Sequence, residues 1–252
     1  MLLEVKGVSK SFVGLKALDD VSLKIEEERI VGIIGPNGAG KTTLFNVVSG
    51  FMPPDKGQVY YRSRDISRLP AYRMPGIGIA RSWQGLRLIY ELTVLDNVLM
   101  AIPDQKGEST FLTIFAPRRV AKDDQKNRKK ALQHLEIVNL ADKAGELVRN
   151  LSYAEQKLLS LARLLATESE LLMLDEPTSG MDVRTVEKVM FPVIKELVEE
   201  YRKTVCIVEH SIDVIRNLCH WVFFIDQGRL IASGTPEEII SDPDLSKIYF
   251  GV

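Results

Sequence analysis

The sequence predicts an α/β fold: a phosphate-loop core on a parallel sheet, an N-terminal antiparallel β subdomain and an inserted helical subdomain. Three observations predict it. In the second half, short apolar runs alternate with amphipathic stretches, the pattern of strand–crossover–strand units. The apolar run Ile30-Val31-Gly32-Ile33-Ile34 leads straight into Gly35-Pro36-Asn37-Gly38-Ala39-Gly40-Lys41-Thr42-Thr43 and a helical continuation. From about residue 86 to 166, glycine thins out and helical periodicity replaces alternation.

Taken in order, Leu3–Lys6 and Val21–Glu26 alternate apolar and polar residues, which predicts strands with one wet face. Thr43–Val48 continues the phosphate loop as a helix, with Gly50 as its stop. Pro53-Pro54-Asp55-Lys56-Gly57 marks a turn before the strand Gln58–Tyr61, and Gly76–Gln84 reads as a further strand ending on a polar residue. Thr93 is a capping-type start for a helix through Met100. Residues 103–119, with Pro103, Gly107 and Pro117, are expected to be the least regular part of the helical stretch. The charge run Lys122–Lys130 leads into a helix with Ala131, Leu132, Leu135 and Val138 on one face. A second stripe, Leu158, Leu161, Ala162 and Leu165, predicts a helix from near Ser152. There follow a buried strand Leu171–Asp175, a long helix over about 183–201, a strand Val205–His210, a helix over 212–218 and a hairpin about Asp226-Gln227-Gly228. The whole is expected to form one domain, with 1–85 and 167–252 as core and β subdomain and about 86–166 as helical subdomain.

Composition narrows the function classes. The 252 residues carry a formal net charge of -1, so no global basic field points to nucleic acid, and no nucleic-acid partner is expected. The 2 cysteines, Cys206 and Cys219, sit in apolar runs and are expected to be reduced thiols of a cytoplasmic protein. No apolar run approaches the roughly 20 residues needed to span a bilayer. Any membrane association is therefore expected to run through a partner.

The loop Gly35–Thr43 matches Gly, four residues, Gly-Lys-Ser/Thr. Its glycines let backbone N–H groups converge on an anion at a helix N-terminus. Lys41 would reach the β/γ-phosphates, and Thr42 would ligate Mg²⁺. ATP or GTP with Mg²⁺ is thus the expected ligand of the loop, which by itself does not choose between the two bases. Asp175 ends an apolar strand, where α/β sheets place ligand groups, and suits a Mg²⁺ carboxylate. Glu176 beside it points elsewhere and suits a general base for the attacking water.

With these motifs in place, the chain resembles the ATP-binding subunit of an ABC transporter over nearly its whole length. Its parts follow the family's order: Phe12, the phosphate loop, Gln84, Leu151-Ser152-Tyr153-Ala154-Glu155, Asp175-Glu176, Ser179-Gly180-Met181-Asp182 and His210. The resemblance implies that Phe12 stacks on adenine, Gln84 touches Mg²⁺ or the water, and His210 bonds the γ-phosphate. It implies two subunits sandwiching two ATP molecules, so that Ser152 and Asp182 act in trans on the partner's nucleotide. It also implies integral membrane permease subunits, docked near Gln84–Leu99, and a peripheral place on the inner face of the cell membrane.

The signature departs from the usual Leu-Ser-Gly-Gly-Gln: Ala154 adds a Cβ, and Glu155 would bring a carboxylate toward three phosphates. The site completed by this helix is expected to be weaker than a standard one. Gly78–Gln84, Leu86–Val98, Tyr153 and the closing Asp242–Gly251 are similar to one branch, importers of branched-chain amino acids and related amides. A lipopolysaccharide-export ATPase is similar in size and layout, and a non-transport ABC ATPase is a further alternative.

Overall fold

In the computed structural model, which describes residues 1–83 and 85–250 (Phe250 by its backbone only), two sheets stand beside a helical layer. The first sheet is antiparallel, in the order β2-β1-β4-β5, from β1 (Leu3–Phe12), β2 (Leu15–Ile25), β4 (Lys56–Tyr61) and β5 (Arg64–Asp65). Leu3, Val5 and Val8 of β1 point inward, as do Val21, Leu23 and Ile25 of β2, and the polar positions between them are wetter. That alternation is what makes a sheet with one packed face.

The second sheet runs β10-β9-β3-β8-β7-β6. Its members are β3 (Ile30–Ile34), β6 (Ile79–Arg81), β7 (Leu171–Asp175), β8 (Thr204–Val208), β9 (Trp221–Asp226) and β10 (Arg229–Gly234). All neighbours pair parallel except β9 and β10, which close a hairpin through Gln227 and Gly228, both at positive φ. β3 and β8 are buried at every position, as central parallel strands covered on both faces must be.

The helices are α1 (Lys41–Val48), α2 (Met74–Ile77), α3 (Val94–Leu99), α4 (Thr110–Phe115), α5 (Pro117–Ile137), α6 (Tyr153–Ala166), α7 (Val183–Thr185), α8 (Phe191–Glu199), α9 (Ile212–Leu218), α10 (Pro236–Ser241) and α11 (Pro243–Phe250). Val94 and Val98 of α3, Ala131 and Leu135 of α5, and Leu158, Leu161, Ala162 and Leu165 of α6 share one apolar core, together with Leu172 and Ile194. The helical stretch is thereby continuous with the sheet's core.

Three local expectations change. The strand expected over Gly76–Gln84 is only Ile79–Arg81: α2 occupies Met74–Ile77, and Gly78 ends it at φ 102. Residues 103–119 are more regular than expected, because Ser109 caps α4 and Pro117 opens α5 in its first turn, where a missing N–H costs nothing. The helix expected over 183–201 runs without interruption from Val183 to Glu199, but it widens to π spacing over Val186–Met190 before α8. Pro192 has no N–H to give, and its ring would collide with the carbonyl four residues back.

Candidate functional site

Three adjacent parallel strands, β3, β8 and β7, end at the same edge, with Ile33 paired to Val208 and Val208 to Asp175. The loop Gly35–Thr43 leaves β3, Glu209 and His210 leave β8, and Asp175 and Glu176 close β7. Ligand groups gather at the carboxyl ends of such strands.

The loop's shape requires its glycines. A Cβ at Gly35 (φ 150) would meet the Ile225 carbonyl oxygen at 1.9 Å, and one at Gly40 (φ 105) would meet that of Ala17 at 2.5 Å. The hairpin turn braces the loop, since the Gly228 N–H donates to the Ala39 carbonyl and the Asp19 N–H to that of Gly228. Lys41 is buried and folds over the loop, its Nζ 2.7 Å from the Gly35 carbonyl and 2.9 Å from that of Pro36. Burial pushes its pKa down, against the pull of Glu176 and Asp175. An anionic ligand would relieve that desolvation. Thr42 is exposed at the start of α1, while Thr43 is half-buried.

Asp175 is held by a residue that the sequence did not single out. Arg81 Nη2 lies 3.0 Å from Asp175 Oδ2, and Arg81 Nη1 donates to Asn46 Oδ1 at 2.6 Å and Ser49 Oγ at 3.1 Å. The guanidinium thus ties the end of β7 to α1. The Asp175 N–H also donates to Ser82 Oγ at 3.0 Å. Gln84, expected to touch Mg²⁺ or the water, lies outside the described residues.

Glu176 adopts φ 48, rare for a residue with a side chain, and such strain collects at functional sites. Its Oε1 is 3.2 Å from His210 Nε2, so the residues expected as base and γ-phosphate contact stand side by side. His210 is braced at its backbone, where its carbonyl accepts the Tyr249 hydroxyl at 2.6 Å. The closing helix α11 thus reaches the site. Buried Glu209 anchors the next loop by accepting Thr178 N–H at 2.9 Å and Thr178 Oγ1 at 2.7 Å.

Lys157 is the second residue that sequence reasoning missed. It is buried on α6, and its Nζ donates to the Glu176 carbonyl at 2.8 Å and Ser179 Oγ at 3.0 Å. Burial pushes its pKa down, while Glu209, Glu176 and Asp175 oppose the shift. A lysine directly ahead of the apolar stripe Leu158 to Leu165, and one turn before Leu161 on the same helix, was the available signal. Tyr153 covers the same segment: a Cβ on Gly180 would meet its ring at 2.8 Å.

Ser152 and Asp182 are helix caps and share no hydrogen bond with the phosphate loop among the described residues. Ser152 forms a capping box, its N–H and Oγ each donating to Glu155 Oε2 at 2.8 Å. Glu155 Oε1 takes Lys143 Nζ at 2.6 Å. Burial raises the Glu155 pKa, yet Lys143 and Ser152 outweigh it and hold the carboxyl below the usual range. Asp182 accepts Thr185 N–H at 3.0 Å and Thr185 Oγ1 at 2.6 Å. Phe12 ends β1 and is 42% exposed, its ring 5.9 Å from Lys10 Nζ. An exposed aromatic face of this kind is free to stack on a base.

Among the described residues, no cluster of three His, Cys, Asp or Glu side chains could hold a metal. A Mg²⁺ here would take much of its shell from phosphates and water, as that ion commonly does, with hard oxygen donors at Thr42 and Asp175. The donor set fits. No helix among the described residues is long and apolar enough to cross a membrane.

A family model described as ABC transporter matches residues 18–179. The chain is 35% identical over 250 residues to the high-affinity branched-chain amino acid transport ATP-binding protein LivG of Salmonella typhimurium, covering 99% of this chain and 98% of that protein. It is 34% identical over 250 residues to BraF of Pseudomonas aeruginosa, described in the same words, over 99% and 98%. Among solved structures, the ADP conformation of the ATP-binding cassette MJ1267 superposes with a TM-score of 0.86 at 31% identity, covering 100% and 99% of the two chains. The dimeric post-hydrolysis state of MJ0796 bound to ADP and Pi gives 0.77 at 29% identity over 93% and 99%. This chain is therefore a member of the ABC transporter family, one of its ATP-binding cassettes.

Proposed function

We propose that this chain hydrolyses ATP to drive import of branched-chain amino acids or related small amides through membrane-embedded permease subunits. The observation that carries the enzymatic part is the convergence of Gly35–Thr43, Asp175, Glu176 and His210 on three neighbouring strand ends. The substrate class rests on the printed names of full-length relatives.

In this reading the loop N–H groups and Lys41 grip the phosphates, and Phe12 stacks on the adenine. Thr42, Asp175 and Gln84 would hold Mg²⁺, which when bound offsets phosphate charge. Glu176 takes the proton of the attacking water, with the His210 imidazole orienting that carboxylate and then bonding the γ-phosphate. Ser152 and Asp182, at helix N-termini of one subunit, complete the site on a second ATP-binding subunit. ATP closes the pair and hydrolysis reopens it, which alternates access in the permeases. The chain sits on the inner face of the membrane, docked through its helical part.

The test is Glu176→Gln. Wild type should hydrolyse Mg-ATP, and the variant should run as a stable dimer with ATP in a size measurement while turnover stops. A variant that hydrolyses like wild type sinks the base assignment. Co-purification of permeases and a periplasmic receptor for another class of solute would overturn the substrate class.

A further inference from the structure

The helical part carries an apolar face that the nucleotide machinery does not use. α4 has no buried residue, and Phe111, Ile114 and Phe115 are 66%, 65% and 70% exposed. They fall at i, i+3 and i+4, on one side of the helix, with the two rings 4.7 Å apart. Large apolar groups clustered in water mark a contact surface. The segment entering α4 is tied to α3, since Gln105 Nε2 donates to the carbonyls of Leu99 at 2.7 Å and Ile102 at 3.1 Å. Exposed Met100 stands at that junction.

A basic run follows at once. Arg118, Arg119, Lys122, Lys126, Arg128 and Lys129 on α5 are all exposed, and none has an ion-pair partner among the described residues. The acids nearby are Asp104, Glu108, Asp123 and Asp124. Asp123 is turned inward, accepting the Lys106 N–H at 2.9 Å and the Asn127 amide at 3.4 Å, with Lys106 Nζ at 3.8 Å. The chain as a whole carries a net charge of -1, so the positive field is local. An apolar groove on a protein would satisfy the three side chains of α4 without calling for six unpaired cations. An anionic lipid surface satisfies both, with aromatic side chains at headgroup depth and cations against the phosphates.

We infer that α4 and residues 117–129 of α5 lie on an anionic lipid surface. Phe111, Ile114 and Phe115 enter the headgroup layer, and the α5 cations meet the lipid phosphates. The inference rests on the chain working beside a membrane, and not on which solute is carried.

The test sediments the purified full-length chain with vesicles of phosphatidylcholine, or of phosphatidylcholine mixed with phosphatidylglycerol. Binding is expected to the mixed vesicles and to weaken as salt shortens the Debye length. Phe111→Ser with Phe115→Ser, and separately Arg118→Gln with Arg119→Gln, should each weaken partitioning roughly tenfold or more. Both variants should keep wild-type ATP hydrolysis in solution, which shows that they fold. Absence of binding to mixed vesicles overturns the inference, as does equal binding to both kinds or wild-type binding by both variants. Retention only by vesicles that contain permease would also overturn it and make the face a protein dock. Hydrolysis and dimer trapping are read without lipid, so failure here is distinct from failure of the proposed function.

Discussion

Arg81 Nη2 donates to Asp175 Oδ2 across 3.0 Å, and the two side chains are 4% and 11% exposed. Burial pushes the Arg81 pKa down, and Asp175 opposes that shift. The guanidinium lies 5.3 Å from the Phe45 ring and 4.7 Å from that of Trp83, so it bridges α1, β6 and β7. Removing one member of a buried pair strands the other charge. Arg81→Leu should lower stability by about 3–5 kcal/mol in urea unfolding. Arg81→Lys should recover only part, because a point charge cannot bond Asp175, Asn46 and Ser49 together. A variant as stable as wild type would show the pair to be incidental.

Lys157 joins the signature helix to the loop after Asp175. Lys157→Met keeps the stem and removes both hydrogen bonds, to the Glu176 carbonyl and Ser179 Oγ. We expect ATP affinity to stay near wild type while kcat falls by up to about a hundredfold, the cost of a slightly misplaced catalytic group. Lys157→Arg should restore part of kcat. Equal losses of binding and turnover would indicate that the residue only stabilises the fold.

Lys41→Ala removes the cation from the phosphate loop and takes its hydrogen bonds from the carbonyls of Gly35 and Pro36, of which Pro36 keeps the Ala39 N–H at 3.2 Å. Charged hydrogen bonds contribute about 1.5–3 kcal/mol each, so ATP binding measured by calorimetry should weaken roughly tenfold or more.

The signature has a physical prediction of its own. Glu155 does not present a bare carboxylate, because Ser152 and Lys143 hold both its oxygens. The same bonds engage the Ser152 hydroxyl, which must turn away to meet a phosphate. Ala154→Gly with Glu155→Gln should therefore raise hydrolysis by the assembled transporter several-fold, and losing the partly exposed Lys143 pair should cost about 1 kcal/mol or less. Unchanged hydrolysis would mean that this signature is not a weak one.

Stability should fall with acid through His220. Its Nδ1 accepts the Ile30 N–H at 2.9 Å at the start of β3, which only the ring unprotonated at that nitrogen can do. Burial, aided by Arg29, pushes its pKa below the ordinary value. The unfolded chain then takes up a proton first as pH drops. The contribution is complete above about pH 6.5 and is lost as pH falls from there through the folded value. His134, pushed down mainly by burial, acts with the same sign. Urea midpoints should decline below about pH 6.5, and His220→Asn, whose side-chain oxygen can still accept, should flatten part of that decline.

Much of the site was legible because its chemistry is local. A phosphate loop needs Gly35, Gly40 and Lys41 at fixed spacing, and an apolar strand that stops on Asp175-Glu176 announces where the sheet ends. Residues that act across the chain left weaker marks. Arg81 reads as an ordinary polar end to a strand until β6 is placed beside β7, 94 positions from Asp175 in sequence. Tyr249 gained its role only when α11 came back against His210, 39 positions earlier. Glu155 reads in the sequence as a carboxylate brought toward the phosphates, since sequence does not show that Lys143 faces it.

By itself, then, the sequence determined the strand–loop–helix that grips phosphate, the alternation of the antiparallel sheet, the apolar runs of the parallel one and the helical identity of the middle stretch. Each follows from spacing along the chain, where periodicity and steric demand act within a few residues. The tertiary structure alone decided which buried cations meet which carboxylates, that the long helix widens to π spacing ahead of Pro192, and that α4 turns its aromatic face outward. Those outcomes depend on desolvation and on contacts between segments far apart in sequence, and neither is written in any one stretch of it.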